Sequence, residues 1–143
     1  MQFTTRLCTW QEAEQRLRAI RTQVFIQEQK VPKVLEWDGE DDHAVHALAS
    51  DLHSLPIGTA RLLLLGNLAH IGRMAVLSPW RGQGVGSALL ALVIDAAQAR
   101  GATAAFLNAQ TSAVGFYTHA GFVAEGEEFL DAGIPHLRMT RRL

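Results

Sequence analysis

Apolar residues recur along the chain at two spacings, which divide it into strands and helices. Alternating or continuous apolar runs predict strands, whereas apolar residues three or four positions apart predict helices. The predicted strands cover residues 2–8, 44–50, 57–65, 68–77, 103–109, 122–129 and 134–143. Gly66-Asn67 is typical of a hairpin turn, so the strands on either side of it should pair antiparallel.

The first helical stripe follows the first strand. It consists of Ala13, Leu17, Ile20 and Val24. Thr9 precedes this stripe and Glu12 stands three residues later, which is the spacing of a capping box. Residues 21–29 either extend this helix or begin a second one, and Pro32 ends it.

A second stripe follows a glycine-rich loop. It consists of Leu89, Leu90, Val93, Ala96 and Ala97. It predicts a helix of about four turns at ~3.6 residues each, with Gly101 as its stop. The strand after it, residues 103–109, is almost entirely apolar, so we expect it to be buried on both faces and parallel to the strand before the helix. Residues 112–121 predict a shorter helix.

These elements define an α/β (α+β) fold. The predicted order is one strand, a helix, three meandering strands, a helix, a strand, a helix and two strands. We expect a mixed, mostly antiparallel central sheet of about seven strands, with flanking helices and one βαβ crossover. The 143 residues fit a single domain, residues 1–143, without repeats or a linker.

Composition excludes several classes of protein. Thirteen basic and fourteen acidic residues give a formal net charge of −1, which argues against a nucleic-acid partner. Cys8 is the single cysteine, so no intrachain disulfide can form, and it reads as a small core residue. No leader or membrane-spanning run is evident, so the sequence predicts a cytoplasmic protein.

Charge is concentrated in residues 36–42, "EWDGEDD", which hold five carboxylates. This segment reads as a loop that could attract a cationic amine. The favoured interpretation is a solvated, mobile surface loop. We expect Arg73 to face the opposite way from His70 and to pair with Glu36 or Asp38, which would tie the loop to the sheet.

Three glycines are crowded into the stretch between the fourth predicted strand and the next helix, "RGQGVGS". Unpaired N–H groups and the positive end of a helix dipole meet there, and Arg81 adds a cation, so the natural guest is a phosphate or diphosphate. A P-loop would need a lysine before Ser87. A Rossmann loop would need an acidic residue where the next strand ends at Asn108. Arg81, Gly84 and Gly86 match the pattern Arg/Gln-x-x-Gly-x-Gly/Ala.

At these residues the sequence resembles the GNAT superfamily of acetyl-CoA-dependent N-acetyltransferases. The similarity rests on "MAVLSPWRGQGVGSALL" and "FLNAQTSAVGFYTHAGF" and covers nearly the whole chain. "VFIQEQKVP" and "EEFLDAGIPHLRM" further resemble the small bacterial ElaA-like branch. The resemblance implies acetyl-CoA as the donor, an amine as the acceptor, and the GNAT acyltransferase fold.

The resemblance also implies roles for individual residues. Main-chain groups of Met74, Ala75 and Val76 should pair with the pantetheine arm of the coenzyme. The diphosphate should bind the loop, which comprises Arg81, Gly82, Gln83, Gly84, Val85, Gly86 and Ser87. The amide of Asn108 suits the pantetheine or Tyr117.

Tyr117 is the candidate general acid, because a phenol is protonated at neutral pH and can give its proton to a departing thiolate. His70 corresponds to the position where several family members hold a basic glutamate. The rival bases are Glu36, Asp38, His43, His46 and His136.

Other functions stay open. A GNAT-like domain could sense acyl-CoA or bind a partner without turnover. "VFIQEQ" is also similar to the first helices of acyl-homoserine lactone synthases. His43 and His46 lack the helical spacing of a zinc site, so we expect no metal. The sequence identifies neither the acceptor nor the oligomeric state, although dimers are common in the family.

Overall fold

Seven strands form one sheet in the computed structural model, which describes residues 2–143. The strands are β1 (Phe3–Cys8), β2 (Val45–Asp51), β3 (Pro56–Leu65), β4 (Leu68–Val76), β5 (Ala104–Gln110), β6 (Val123–Asp131) and β7 (Ile134–Arg142). Their order across the sheet is β1-β2-β3-β4-β5-β7-β6. Only the β4–β5 pair is parallel; every other neighbouring pair is antiparallel. The predicted mixed, mostly antiparallel sheet is confirmed.

The helices are α1 (Trp10–Arg21), α2 (Lys33–Glu36), α3 (Val85–Ala99) and α4 (Val114–His119). The predicted capping box is present, because the Thr9 hydroxyl accepts from the Glu12 N–H at 3.2 Å and the Glu12 carboxylate accepts from the Thr9 N–H at 2.9 Å. Directly after α1 the chain continues as a π-helical segment, Thr22–Glu28, which ends before Pro32. No helix among residues 2–143 is both long and apolar enough to span a membrane.

Helices cover both faces of the sheet. Ala47 and Ala49 of β2 belong to the apolar cluster that packs on α3, whereas Leu48 between them belongs to the cluster that packs on α1. Since successive residues of a strand point to opposite faces, α1 and α3 lie on opposite sides. All five residues of the second predicted stripe are buried, which confirms that the stripe faces the sheet.

The parallel strands β4 and β5 part soon after they meet. They pair only at Leu68–Ala104, Ala69–Ala105 and His70–Phe106. Beyond these three positions the two strands separate and a wedge opens in the sheet. β5 is therefore buried on both faces, as predicted, only in its first half, because Phe106 is buried but Asn108, on the same face, is exposed at the wedge.

A β-bulge in β4 accompanies this separation. Thr59 pairs with Ala75 and Arg61 pairs with Gly72, so two residues of β4 lie opposite the single residue between them on β3. Arg73, one of the two, has the left-handed φ of +48°. Bulges bend a strand and increase its local twist, so this one turns the second half of β4 away from β5.

The acidic segment is held by buried ion pairs, so its prediction as a solvated, mobile loop is wrong. Arg21 is fully buried and donates to Glu36 at 2.7 Å and to Asp41 at 2.6 Å. Arg61 lies beneath the segment and donates to both oxygens of Asp38, at 2.9 and 2.8 Å.

The predicted tie between Arg73 and the acidic segment is confirmed. Arg73 contacts Glu36 at 3.2 Å and Asp38 at 3.1 Å. Burial by itself would raise the pKa of Asp38, but hydrogen bonds and charge from Arg61 and the charge of Arg73 hold it far below its ordinary value. Asp41 also receives a hydrogen bond from Arg61. The charges of Arg21, Arg61 and Arg73 thus offset those of Glu36, Asp38 and Asp41.

Replacing Arg21 with methionine should destabilise the fold by about 3–5 kcal/mol, because Glu36 and Asp41 would each lose a buried cationic partner. The cation that each retains is shared with Asp38. The measurement is urea denaturation at neutral pH. Arg16→Gln is the control; Arg16 is exposed on α1 and should change stability by no more than about 0.5 kcal/mol. Equal stability of the two variants would show that the buried pairs do not hold the segment.

Candidate active site

A cleft of about 640 Å³ opens where β4 and β5 part. The residues predicted for the site that line it are His70, Met74, Ala75, Val76, Arg81, Gly86, Asn108 and Tyr117. The remaining predicted loop residues, Gly82, Gln83, Gly84, Val85 and Ser87, adjoin it in the chain. A second hollow of about 610 Å³ lies beside the end of β7 and contains none of these residues.

One wall of the cleft is the free edge of β4. Ala75 and Val76 pair with Thr59 and Gly58 of β3, but no strand of residues 2–143 pairs with their other edge. A sheet edge of this kind presents main-chain N–H and C=O groups to any extended ligand. The side chain of Ala75 is buried in the core, so backbone groups are what this position offers the cleft.

The glycine-rich loop leads into the N-terminus of α3. Gly82 and Gly84 have φ of +76° and +87°, and no atom lies within 4 Å of where a Cβ would stand on either. Gly84 is the N-cap residue and supplies no side chain to the first-turn amides of α3. Those N–H groups, with the helix dipole behind them, form a site suited to an anion.

Gly86 differs from the other two glycines, because its φ is not positive. It lies inside α3, where a Cβ would stand 3.4 Å from the Phe116 ring. That distance is ordinary van der Waals contact, so packing against α4 does not require a glycine here. Val85, the residue before it, is buried in the core, so only its main chain can contribute to binding.

Arg81 is already paired. Its two terminal nitrogens donate to the two carboxylate oxygens of Glu28, each at 2.8 Å, and its Nε donates to the Val76 carbonyl at 2.9 Å. The hydrogen bond from Arg81 also lowers the pKa of Glu28. The loop cation is therefore fixed in place by the π-helical segment, and an anion bound to the loop would share it with Glu28.

Tyr117 lies on α4 at the base of the cleft. Its ring packs edge-on against Phe116 and Phe122, with centroid distances of 5.0 and 6.1 Å. Only 8% of the residue is exposed, and this burial raises the pKa of the phenol to about 12. The phenol is therefore protonated throughout the neutral range and can act as a proton donor.

His70 lies at the last paired position of β4, where the wedge begins. Its ring stacks on Phe106 with a centroid distance of 4.3 Å and an interplanar angle of 11°. Burial lowers the pKa of His70, and the positive charges of Arg61, Arg73 and Arg138 lower it further. The imidazole is neutral at pH 7 and can take up a proton.

Arg73 does not face away from His70 as the strand alternation predicted. Both residues line the cleft. The bulge at Arg73 inserts one extra residue into β4 and so interrupts the alternation of side chains between the two faces.

Of the rival bases, His43 and His46 lie away from the cleft, whereas Glu36 and Asp38 line it with their carboxylates bound to arginines. Glu36 and Asp38 are held by arginines, and His43 is exposed and contacts Glu40 at 2.9 Å. His46 is fully buried beside Trp10 and bonds the Asp41 carbonyl at 3.1 Å. Among residues 2–143 no group of His, Cys, Asp or Glu has the arrangement of a metal site.

His136 also lines the cleft together with His70. Its Nδ1 lies 2.6 Å from the Ile134 carbonyl. A carbonyl can only accept a hydrogen bond, so Nδ1 carries the proton and Nε2 is left as an acceptor.

Two glutamines that sequence reasoning missed join across the cleft. The side-chain amides of Gln29 and Gln110 exchange hydrogen bonds of 2.9 and 3.3 Å. Phe25, on the π-helical segment, lines the same space. Isolated π-turns are common at functional sites, but no local pattern marks a contact between residues 81 positions apart.

Comparison with known proteins identifies the family. Residues 8–143 match the acetyltransferase (GNAT) domain. The uncharacterised N-acetyltransferase YjcF of Bacillus subtilis is 38% identical over 123 residues, which are 85% of this chain and 87% of that protein. The chain belongs to the GNAT acetyltransferase family.

Solved structures agree with this assignment. An acyl-CoA N-acyltransferase from Pseudomonas aeruginosa superposes with a TM-score of 0.86 at 31% identity, covering 98% of this chain and 99% of that one. ElaA of Escherichia coli gives the same TM-score and coverage at 26% identity. The predicted fold and the resemblance to ElaA-like proteins are confirmed.

The single tyrosine of the chain makes its environment directly measurable. In the folded protein the phenolate absorbance should appear with a midpoint near pH 12, against 10.0 for an ordinary phenol. Because the folded pKa is the higher one, the contribution of Tyr117 to stability should be constant below pH 10 and fall as the pH rises toward 12. Ultraviolet titration with and without urea tests this. A midpoint near 10 in both conditions would place the phenol in solvent.

Proposed function

We propose that the protein transfers an acetyl group from acetyl-CoA to a primary amine by direct attack within a ternary complex. The observation that carries this proposal is one cleft in which three features meet. These are the unpaired edge of β4, the uncapped N-terminus of α3 behind a glycine loop, and the buried phenol of Tyr117. Membership of the GNAT family supports acyl transfer, and the free strand edge beside an anion site supports a long, phosphate-bearing thioester as the donor.

The donor binds along the two walls of the cleft. The diphosphate contacts the main-chain amides of the loop, made up of Gly82, Gln83, Gly84, Val85, Gly86 and Ser87, together with the Arg81 guanidinium. Met74, Ala75 and Val76 extend main-chain hydrogen bonds to the pantetheine arm, as a neighbouring strand would. The side-chain amide of Asn108 contacts this arm from the opposite wall.

The chain then moves two protons. His70 accepts the proton of the attacking amine, directly or through water, which leaves a lone pair on nitrogen. As the new C–N bond forms and the C–S bond breaks, the Tyr117 hydroxyl donates its proton to the sulfur of the leaving thiolate. The nitrogen then loses its surplus proton to solvent to give the neutral amide, and the Tyr117 phenolate regains a proton from solvent. One main-chain N–H at the end of β4 stabilises the negative charge that develops on the carbonyl oxygen.

The acceptor binds at the end of the cleft near α2 and the β6–β7 hairpin. Local attraction of a cationic amine by the acidic segment is not part of this proposal, because the carboxylates of Glu36, Asp38 and Asp41 are offset by buried arginines. The shape of this end of the cleft, which Phe25 and Ile134 help to form, selects the amine instead.

Donor binding is tested by calorimetry with CoA and acetyl-CoA. The wild type should bind both at micromolar concentration, and Gly84→Ala should bind about tenfold more weakly, because a Cβ at positive φ strains the loop that faces the diphosphate. Gly101→Ala is the matched control, since Gly101 has φ of +88° and equally open surroundings but lies beyond the far end of α3. Absence of binding to the wild type, or equal loss in both variants, would overturn the phosphate-loop assignment.

Turnover is tested with alkylamines, amino sugars and short peptides in a thiol-release assay. Tyr117→Phe should lower kcat about a hundredfold with little change in affinity for CoA, since the phenol donates its proton only in the reaction. His70→Gln should remove the acidic limb of the pH–rate profile, whereas the exposed control His119→Gln should keep it. Binding without turnover of any amine would favour the acyl-CoA sensor, and an unaltered profile would remove His70 as the base.

A further inference from the structure

A row of four side chains crosses the sheet from its outer edge to the cleft. Glu125 on β6 accepts from the Nε of Arg138 on β7 at 3.2 Å. The guanidinium of Arg138 lies 4.1 Å from the centroid of the Phe106 ring on β5. Phe106 in turn stacks on His70 of β4 at 4.3 Å.

The strand register explains how these side chains reach one another. His70 pairs directly with Phe106, and Arg138 pairs with Asn108, two residues farther along β5. All of them stand on the same face of the sheet, since side chains at directly opposite and alternate positions share a face. With β4 on one side of β5 and β7 on the other, Phe106 is held between the imidazole and the guanidinium.

This arrangement fixes the ring of Phe106 and, through it, the plane of His70. A guanidinium packs flat on an aromatic face through cation–π attraction and stacking, which a carboxamide does not reproduce. Glu125 holds the guanidinium from the side away from the ring. No hydrogen bond to an oriented carbonyl or carboxylate sets the imidazole of His70 within residues 2–143, in contrast to His136, so its stacking partner is what orients it.

We propose that Arg138 is a positioning residue that acts through the Phe106 ring to hold the His70 imidazole at the mouth of the wedge. This inference rests on the proposed function of His70 as proton acceptor, but the geometry it concerns can be measured without catalysis. It adds a role for a residue that lies outside the residues lining the cleft.

Four charged groups from the surrounding elements act on His70: Arg61 of β3, Arg73 of β4, Arg138 of β7 and Asp38 of the acidic segment. Arg61 and Arg73 both bind Asp38, so each carries a carboxylate partner close to the imidazole. The partner of Arg138 is Glu125, which lies on the far side of the guanidinium from Phe106 and His70. Removal of Arg138 should therefore change the field at His70 without disturbing the buried ion pairs.

The test is an NMR titration of the histidine ring signals in the free, full-length protein. The His70 signals are assigned as those that disappear in His70→Gln. Arg138→Gln should raise the pKa of His70, because a nearby cation that disfavours protonation is removed. Arg138→Lys should restore that pKa, since it keeps the charge. Arg16→Gln, an exposed arginine on α1, should leave the titration unchanged.

The chemical shifts of the His70 ring protons report the stacking on Phe106 separately from the effect of charge on the pKa. In Phe106→Leu the ring protons of His70 should move downfield because the ring current of Phe106 is lost, and a smaller change in the same direction is expected in both Arg138 variants as the Phe106 ring gains freedom. In the thiol-release assay Arg138→Gln should lower kcat about tenfold with an unchanged KM for acetyl-CoA. The acidic limb of the pH–rate profile of Arg138→Gln should move to higher pH, because the pKa of His70 rises.

The outcomes separate this inference from the proposed function. Unchanged His70 shifts and an unchanged pKa in Arg138→Gln would overturn the positioning role even if the enzyme is active. Altered shifts and pKa with no change in the pH–rate profile would confirm the row of side chains but remove His70 as the base. The Arg138 side chain is exposed at the surface. Arg138→Gln therefore tests the row of four side chains without the loss of core packing that Phe106→Leu causes.

Discussion

The parting of two parallel strands is the constraint on which the rest of this structure depends. β4 and β5 share three paired positions and then separate, which leaves main-chain groups without partners in the middle of a sheet. Such groups are costly when buried, so the wedge must be filled by solvent or by a ligand that bonds like a strand. Two other features create this opening. The bulge at Arg73 turns β4 away from β5, and the crossover through α3 places a helix N-terminus at the wedge.

Three arginines anchor the acidic segment, whose Glu36 and Asp38 line the cleft. Arg21, Arg61 and Arg73 reach the acidic segment from α1, β3 and β4, so three separate elements fix its position. Buried ion pairs add little net stability compared with apolar packing, but breaking one leaves a charge uncompensated. The segment is thus confined to a single position, and Glu36, Asp38 and Asp41 act as its structural anchors.

Two histidines at the cleft are prepared in different ways. His136 is oriented by the Ile134 carbonyl, whereas His70 stacks on the face of Phe106, and its burial among arginines keeps it neutral. At the glycine loop, Arg81 is held by Glu28. The charged groups at both ends of the cleft are therefore fixed by neighbouring residues.

The sequence by itself determined the elements, their order and the glycine loop, because these follow from local periodicity, capping residues and glycines that need positive φ. The capping box at Thr9, the hairpin at Gly66 and the buried stripe of α3 are all contacts within a few residues of one another. Only the tertiary structure decided the wedge, the bulge at Arg73 and the partners of the acidic segment. Each of these depends on residues that are distant from one another in the chain. The sequence of a run of carboxylates does not show whether water or buried guanidinium groups surround it.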